Sequence, residues 1–432
     1  MEQGNITDRL RSGAEISFLV SLFLFISISA VQRGALTTLF HLMVALSLLF
    51  PLMKNRNLPW PLIKRLSYGF LFYVLSAALS LINTSNWHTG DWYFGRYYRF
   101  LFVIPVIIFV ARTRAAVEKW VIGGAVVSSL TMAYYSLHQM IFSGVTRVGL
   151  AGYLNQNRYG EIGFVSALII LVAILRVPMR TMLKFTLVLP FVLGVCGGLS
   201  SGSRGALLAF VATGLFLAWK CTDTVSFKKR LRAVGASVLI LAVLISSLVY
   251  FSPYWRKQIP RLANEPLQYL SGHYDFEASS VHVRMHLAQG GLLIWKKHPF
   301  IGTGLGDIEN DMKELVKAKK LPGNLTWSRL HNSYIDVLAR SGIIGLFGFL
   351  TGALYIPFRT FLTCYKETEK SSERAWASVL GMALVFFFAV DGVASSCFSN
   401  KSVYVYLGLL GPLLGLSLRE RQVVKILSPN SG

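Results

Sequence analysis

Long, nearly uncharged apolar stretches recur along the whole 432-residue chain, and they limit what it can fold into more than any other feature. A helix that crosses a bilayer needs about 20 mostly apolar residues, and lipid leaves the backbone no partners outside the helix. Twelve candidate stretches lie near 15–32, 35–53, 67–83, 97–111, 120–142, 160–176, 182–200, 204–219, 233–251, 333–357, 376–393 and 403–418. The fourth is the weakest, because Arg99 sits near its start. The first has no clear small-residue cleavage site and a second apolar stretch follows at once, so it is expected to stay as an anchor. Only 15% of residues are charged, where a soluble domain carries about 25%. The expected fold is therefore all-α and polytopic, with about 12 transmembrane helices.

The formal charge of +23 does not point to nucleic acid, because cytoplasmic loops of membrane proteins collect Lys and Arg. With the N-terminus in the cytoplasm, the cytoplasmic loops and tails would hold 24 of these residues. The short outer loops would hold seven: Arg33, Arg96, Arg99, Arg147, Arg158, Arg204 and Lys401. Both termini are accordingly expected in the cytoplasm. The three expected units are 1–251, 252–332 and 333–432: nine helices, a large helical outer loop, and three helices with a tail. A loop that long in a compact protein is usually functional. Within it, Val281–Lys297 and Asp307–Lys320 carry helical patterns. The four cysteines show no metal-ligand spacing.

Six of the seven short outer-loop cations are arginine. Arg grips phosphate through a planar fork, so this bias suits an anionic ligand or anionic lipid headgroups. Arg204 follows a Ser/Gly turn at 200–203 and opens a helix, a place where free backbone N–H groups could meet an anion. It could equally snorkel to the interface. The stretch GLAGYLNQNRYGE, residues 149–161, reads either as a helix cap and turn or as a sugar or phosphate site. His331 ends the large loop, and an ordinary imidazole would suit general-base work. Asp336 could orient it only if the first helical turn is irregular. His282 and His286 have two-His metal spacing with no third ligand in view. The acids from Asp307 to Asp311 suit a helix start, and Glu161 and Asp391 lie near the ends of apolar segments.

These residues resemble a known family. His331-Asn332, nine residues, then Gly342-Ile343-Ile344-Gly345 are similar to the HNx9GxxG signature of bacterial O-antigen ligases and their polymerase relatives. Arg284 and the run Pro299-Phe300-Ile301-Gly302-Thr303-Gly304-Leu305-Gly306 resemble that family's Arg and PxxGxGxG block. Ser201–Gly205 resembles its SxSRG turn, and Arg147 with Asn155-Gln156-Asn157 and Gly160 its R…NxN…G block. The resemblance covers most of the chain. It implies a GT-C-like, metal-independent, inverting glycosyltransferase of the bacterial inner membrane, with no cofactor and a site facing the periplasm. The implied donor is a polysaccharide on undecaprenyl diphosphate, and a ligase would move it to lipid A-core among the membrane lipids. By position, Arg204 and Arg284 would hold the diphosphate and His331 would act at the acceptor hydroxyl. Arg147, Asn157, Arg158, Asn332, Arg96 and Arg99 are the further candidates for substrate contact. The same blocks occur in polymerases and protein O-oligosaccharyltransferases. The single dominant loop favours a ligase over a polymerase, and protein O-oligosaccharyltransferases usually carry an added C-terminal region. A transporter would show paired broken helices and internal symmetry, and neither is visible.

Overall fold

The computed structural model describes residues 2–419 apart from 33, 54–56, 150–154, 222–225, 230, 233–234, 236–245, 247–249, 251–252, 278, 324 and 370–371. Among the described residues every regular element is helical. The first nine helices are α1 Glu2–Ile28, α2 Ala35–Ser47, α3 Trp60–Leu79, α4 Trp87–Tyr98, α5 Val103–Arg112, α6 Val117–Phe142, α7 Gln156–Arg176, α8 Thr181–Ser200 and α9 Arg204–Cys221. The loop region holds α10 Pro253–Leu270, α11 Ser280–Lys297 and α12 Ile308–Lys317. The chain then forms α13 Ser333–Gly348, α14 Ile356–Lys366, α15 Glu373–Ala394 and α16 Ser402–Ser417.

Nine helical segments among the described residues are long and apolar enough to cross a membrane, and Ala35–Ser47 and Ser402–Ser417 are shorter apolar helices. These correspond to eleven of the expected stretches, and the twelfth, 233–251, lies mostly outside the described residues. The fourth stretch is longer than expected, because α4 and α5 run together as Trp87–Arg112. Its two cations are accommodated by aromatic rings. Arg96 lies 3.4 Å from the centre of the Trp92 ring, and Arg99 lies 5.4 Å and 5.3 Å from Tyr98 and Tyr404. Such contacts offset part of the cost of placing a guanidinium in an apolar layer.

The membrane bundle has one large apolar core, to which α1, α5, α7, α15 and α16 contribute most. The loop has a smaller core of its own. Val283, Leu287 and Ile294 of α11 pack there on Ile308, Met312 and Leu315 of α12, and Leu330 and Ala339 join this core to α13. This is the helical loop that the patterns at 281–297 and 307–320 predict. Helix α10 was not expected, and its interior contains Pro260 and Pro266.

A backbone joint locks the loop to the membrane bundle. Helix α13 breaks at Gly342, where φ is 65° and ψ is −166°. The segment after α11 fills the break. Ile343 N–H donates to Pro299 O at 2.9 Å and Ile344 N–H to Phe300 O at 3.2 Å. In return Thr303 N–H donates to Ala339 O at 3.0 Å and Gly304 N–H to Arg340 O at 3.1 Å. A Cβ at Gly342 would sit 2.1 Å from Phe300 O, and one at Gly302 would sit 2.2 Å from the Arg340 carbonyl carbon. Both positions therefore need glycine for space and for their positive φ. Two of the glycines in the family-like motifs thus have a structural task rather than a catalytic one.

The same segment is clamped to the start of α4. Asp307 accepts from Ser85 N–H at 2.9 Å, Asn86 N–H at 3.0 Å and Ser85 Oγ at 2.5 Å. Asn83 Nδ2 donates to Gly302 O at 2.8 Å. The acids at 307–311 therefore open a helix and also staple two distant parts of the chain. Asp307→Ala is expected to cost about 2 kcal/mol, since it leaves three donors without their carboxylate. Thermal melting of the detergent-solubilised variant would register the loss, and an unchanged melting temperature would contradict the clamp.

Candidate active site

The site is built where the start of α7, the α8–α9 turn, α10, α11 and the residue before Asn332 meet. These surfaces enclose a cavity of about 460 Å³. Five of the sequence candidates line it: Arg147, Asn157, Arg204, Arg284 and His331. They come from four separate stretches of the chain.

The α8–α9 turn is shaped by Gly202, whose φ is 64°. A Cβ there would lie 2.6 Å from the Tyr254 hydroxyl and 2.8 Å from Arg147 Nε. Tyr254 donates to Gly202 O at 3.1 Å, and Arg147 Nε donates to Ser201 O at 3.2 Å. The turn thus offers carbonyls to its neighbours. Its amides at 202 and 203 are used internally, by Leu199 O and Ser201 Oγ. The expectation of free N–H groups at this turn does not hold at these two residues. The positive charge comes from side chains instead.

Arg204 donates to Ser280 Oγ, and its Nη1 lies 3.7 Å from Glu265. Glu265 is buried and also faces Arg261 at 3.9 Å. Arg284, on α11, makes no hydrogen bond or ion pair with a described residue. Burial, and then the nearby Arg204, hold its guanidinium below the usual range, with Arg147 acting in the same direction and Asp391 opposing them. Around this cavity four arginines (147, 204, 261 and 284) face two carboxylates, Glu265 and Glu277. Even with Asp391 counted beside Arg284, the arginines outnumber the described carboxylates, and that excess suits an anionic ligand.

His331 sits at the cavity edge. Its φ of 51° is a left-handed conformation that a histidine rarely adopts. Such strain persists only where the surroundings impose it. Here Asn332 caps α13, accepting from Tyr334 N–H and Ile335 N–H at 3.0 Å each, and donates to Val393 O at 2.9 Å. The cap turns the chain and directs His331 outward. The imidazole lies 5.5 Å from the Trp327 ring and makes no hydrogen bond to a described residue. Burial, then Arg284 and Arg329, push its pKa down to about 4. The sequence argument assumed an ordinary histidine, and the structure supplies one that stays neutral through mildly acidic pH. Asp336 does not orient it: that carboxylate bonds Arg340 Nε at 3.1 Å and Leu330 N–H at 3.3 Å.

The other four candidates lie outside this cavity. Asn332 is occupied as a cap. Arg158 follows Asn157 by one residue on α7, so it points about 100° away, and it is buried beside Glu161. Arg96 and Arg99 belong to the aromatic cluster on α4. The two-His spacing on α11 is used for structure as well. His282 Nδ1 accepts from Asp275 N–H at 2.9 Å and its Nε2 meets Glu265 O at 2.8 Å, while His286 Nε2 faces Leu325 O at 3.4 Å. Among the described residues no three His, Cys, Asp or Glu side chains cluster as metal ligands.

Sequence reasoning did not single out Tyr254, Arg261, Glu265 or Trp327. The first three lie on α10, whose two internal prolines, Pro260 and Pro266, hide an amphipathic helix from a reading that takes proline as a helix breaker. Trp327 sits four residues before His331 in a segment without a motif.

No curated protein matches the chain. Residues 189–350 match a family described as O-antigen ligase (Wzy_C), and that span contains Arg204, Arg284, His331 and the Gly342 joint. This segment, less than half of the chain, is what the protein shares with the O-antigen ligase/polymerase superfamily.

Proposed function

We propose that this protein is an O-antigen ligase, an inverting glycosyltransferase of the bacterial inner membrane whose site faces the periplasm. It moves O-antigen polysaccharide from undecaprenyl diphosphate to lipid A-core. One observation carries the reading: His331, with no hydrogen bond to a described residue, stands at the edge of a cavity lined by Arg147, Arg204, Arg261 and Arg284 and, among the described residues, by a single carboxylate, Glu277.

The chemistry follows from that arrangement. Arg204 and Arg284, with Arg147, hold the diphosphate, and Asn157 contacts the sugar or phosphate beside it. The acceptor hydroxyl attacks the anomeric carbon from the face opposite the diphosphate. As the new C–O bond forms, the bond from that carbon to the phosphate oxygen breaks and its electron pair stays on the diphosphate. The arginines stabilise the charge that develops there, which is worth most in a water-poor site. The hydroxyl proton passes to His331. Diphosphate leaves without protonation, so no general acid is required. Two lipid-anchored substrates held at one membrane face supply the orientation.

Deleting the gene in its host and complementing it would test this reading on a lipopolysaccharide gel. The expected result is core-only bands with lipid-linked polymer accumulating, reversed on complementation. Core bearing a single repeat unit would instead mean a polymerase. An unchanged ladder would overturn both.

A further inference from the structure

A second cationic cluster adjoins His331 outside the cavity, and among the described residues no carboxylate is paired with it. Arg96 is only 7% exposed. Its guanidinium lies 3.4 Å from the centre of the Trp92 ring and 5.0 Å from Tyr93, and its Nη1 is buried with no hydrogen-bond partner among the described residues. Arg329, two residues before His331, faces the same Trp92 ring at 5.7 Å, and its Nε is also buried without a partner. The ionisable groups that bear most on Arg96 are Tyr93, Tyr404 and two more cations, Arg329 and Arg340. Asp336 is taken by Arg340. A ring face returns only part of the solvation that a buried guanidinium gives up, so two such groups sharing one indole call for an anion.

The position of the cluster says which anion. Arg284 and Arg329 both act on His331, one from the diphosphate cavity and one from the α4 side. In-line displacement brings the acceptor in opposite the leaving diphosphate. The α4 side is then the acceptor side, provided the ligase reading holds. Trp92, stacked on one face by Arg96, is still about half exposed, so a sugar can pack against the rest of its ring. Two arginines in fork geometry suit the two charges of a phosphate monoester.

We propose that Arg96, Arg329 and Trp92 form a subsite for a phosphate carried by the acceptor glycan. The subsite holds that phosphate so that the accepting hydroxyl is presented to His331.

The test uses the full-length protein in phosphatidylcholine nanodiscs with lipid A-core as acceptor, intact or stripped of its sugar phosphates by phosphatase. Direct binding and transfer are both measured. For the wild type, stripping should raise the acceptor Kd and KM about 10- to 100-fold, with the donor KM unchanged. Arg96→Gln and Arg329→Gln should weaken the intact acceptor by a similar factor and bind both acceptors alike, while Arg96→Lys should recover part of the difference. A melting curve confirms that each variant is folded, and if one of the Gln variants is not, the other decides. A folded Gln variant that still prefers the phosphorylated acceptor as strongly as the wild type overturns the subsite. So does a wild type that never distinguishes the two acceptors. If added phosphatidylglycerol displaces the acceptor while the two acceptors bind equally, the cluster holds a lipid headgroup instead. Failure of transfer with every acceptor would sink the ligase reading, and the binding arm would still judge the subsite.

Discussion

His331→Asn is expected to reduce glycan transfer by about 10²- to 10⁴-fold, the usual contribution of a general base. Asparagine suits this test because it tolerates the left-handed backbone found at 331. It keeps a polar side chain and removes the basic nitrogen, so folding should be preserved. The pH profile separates a base from a mere phosphate contact. The active form of a base is neutral, and His331 has its pKa pushed down to about 4 by burial and two arginines. Activity should then persist as pH falls and be lost only as pH passes through about 4. That limb should appear in kcat/KM, which reports the free enzyme. Once the diphosphate is bound, its negative charge favours the imidazolium, so the limb in kcat should move to higher pH. Initial rates between pH 3.5 and 8 give both curves. A limb at the ordinary histidine value in kcat/KM, or the same limb in the asparagine variant, would remove His331 from the role of base.

Arg284→Met should have two effects of opposite sign. Transfer should fall by about 10²- to 10³-fold, as when one stabilising donor to a developing negative charge is removed. The ligand-free protein should become more stable, by about 1–2 kcal/mol. Arg284 is a partly buried cation with no hydrogen bond or ion pair to a described residue, and Arg204 and Arg147 repel it more than Asp391 attracts it. Replacing it with an apolar side chain of similar length removes both desolvation and repulsion. Melting curves without donor would show a higher midpoint in the variant, and added donor should stabilise the wild type far more than the variant. A lower midpoint without donor would mean that Arg284 serves the fold.

The bundle was largely legible because a spanning helix declares itself through length and apolarity alone, without reference to its neighbours. Eleven of the twelve expected stretches coincide with described helices, and even the weak one at 97–111 was present. The chemistry of the site was legible where a short motif carried it, as at Arg204, Arg284 and His331. It was not legible where packing decided. Asn332 stands next to His331 in sequence, yet its side chain turns back to cap α13. Arg158 stands next to Asn157, yet helical rotation sends it into the bundle. Helix α10 brings Tyr254, Arg261 and Glu265 to the cavity, but its sequence carries no motif and its two prolines argue against a helix there. The lowered pKa of His331 comes first from burial and then from Arg284, on another helix, and Arg329, and no linear pattern encodes that surrounding.

The joint at Gly342 bears on how such a protein is made. Ile343 and Ile344 belong to a helix long and apolar enough to span a membrane, and at its break their amides donate to Pro299 and Phe300. Without that segment, the break would deprive two donors of these acceptors in a medium that offers few others. Insertion of the helix and folding of the loop are therefore expected to be coupled, although one takes place in lipid and the other in water. A nascent chain with a damaged loop would carry its defect into the bilayer, where quality-control proteases can detect it before a half-built enzyme ever meets a substrate.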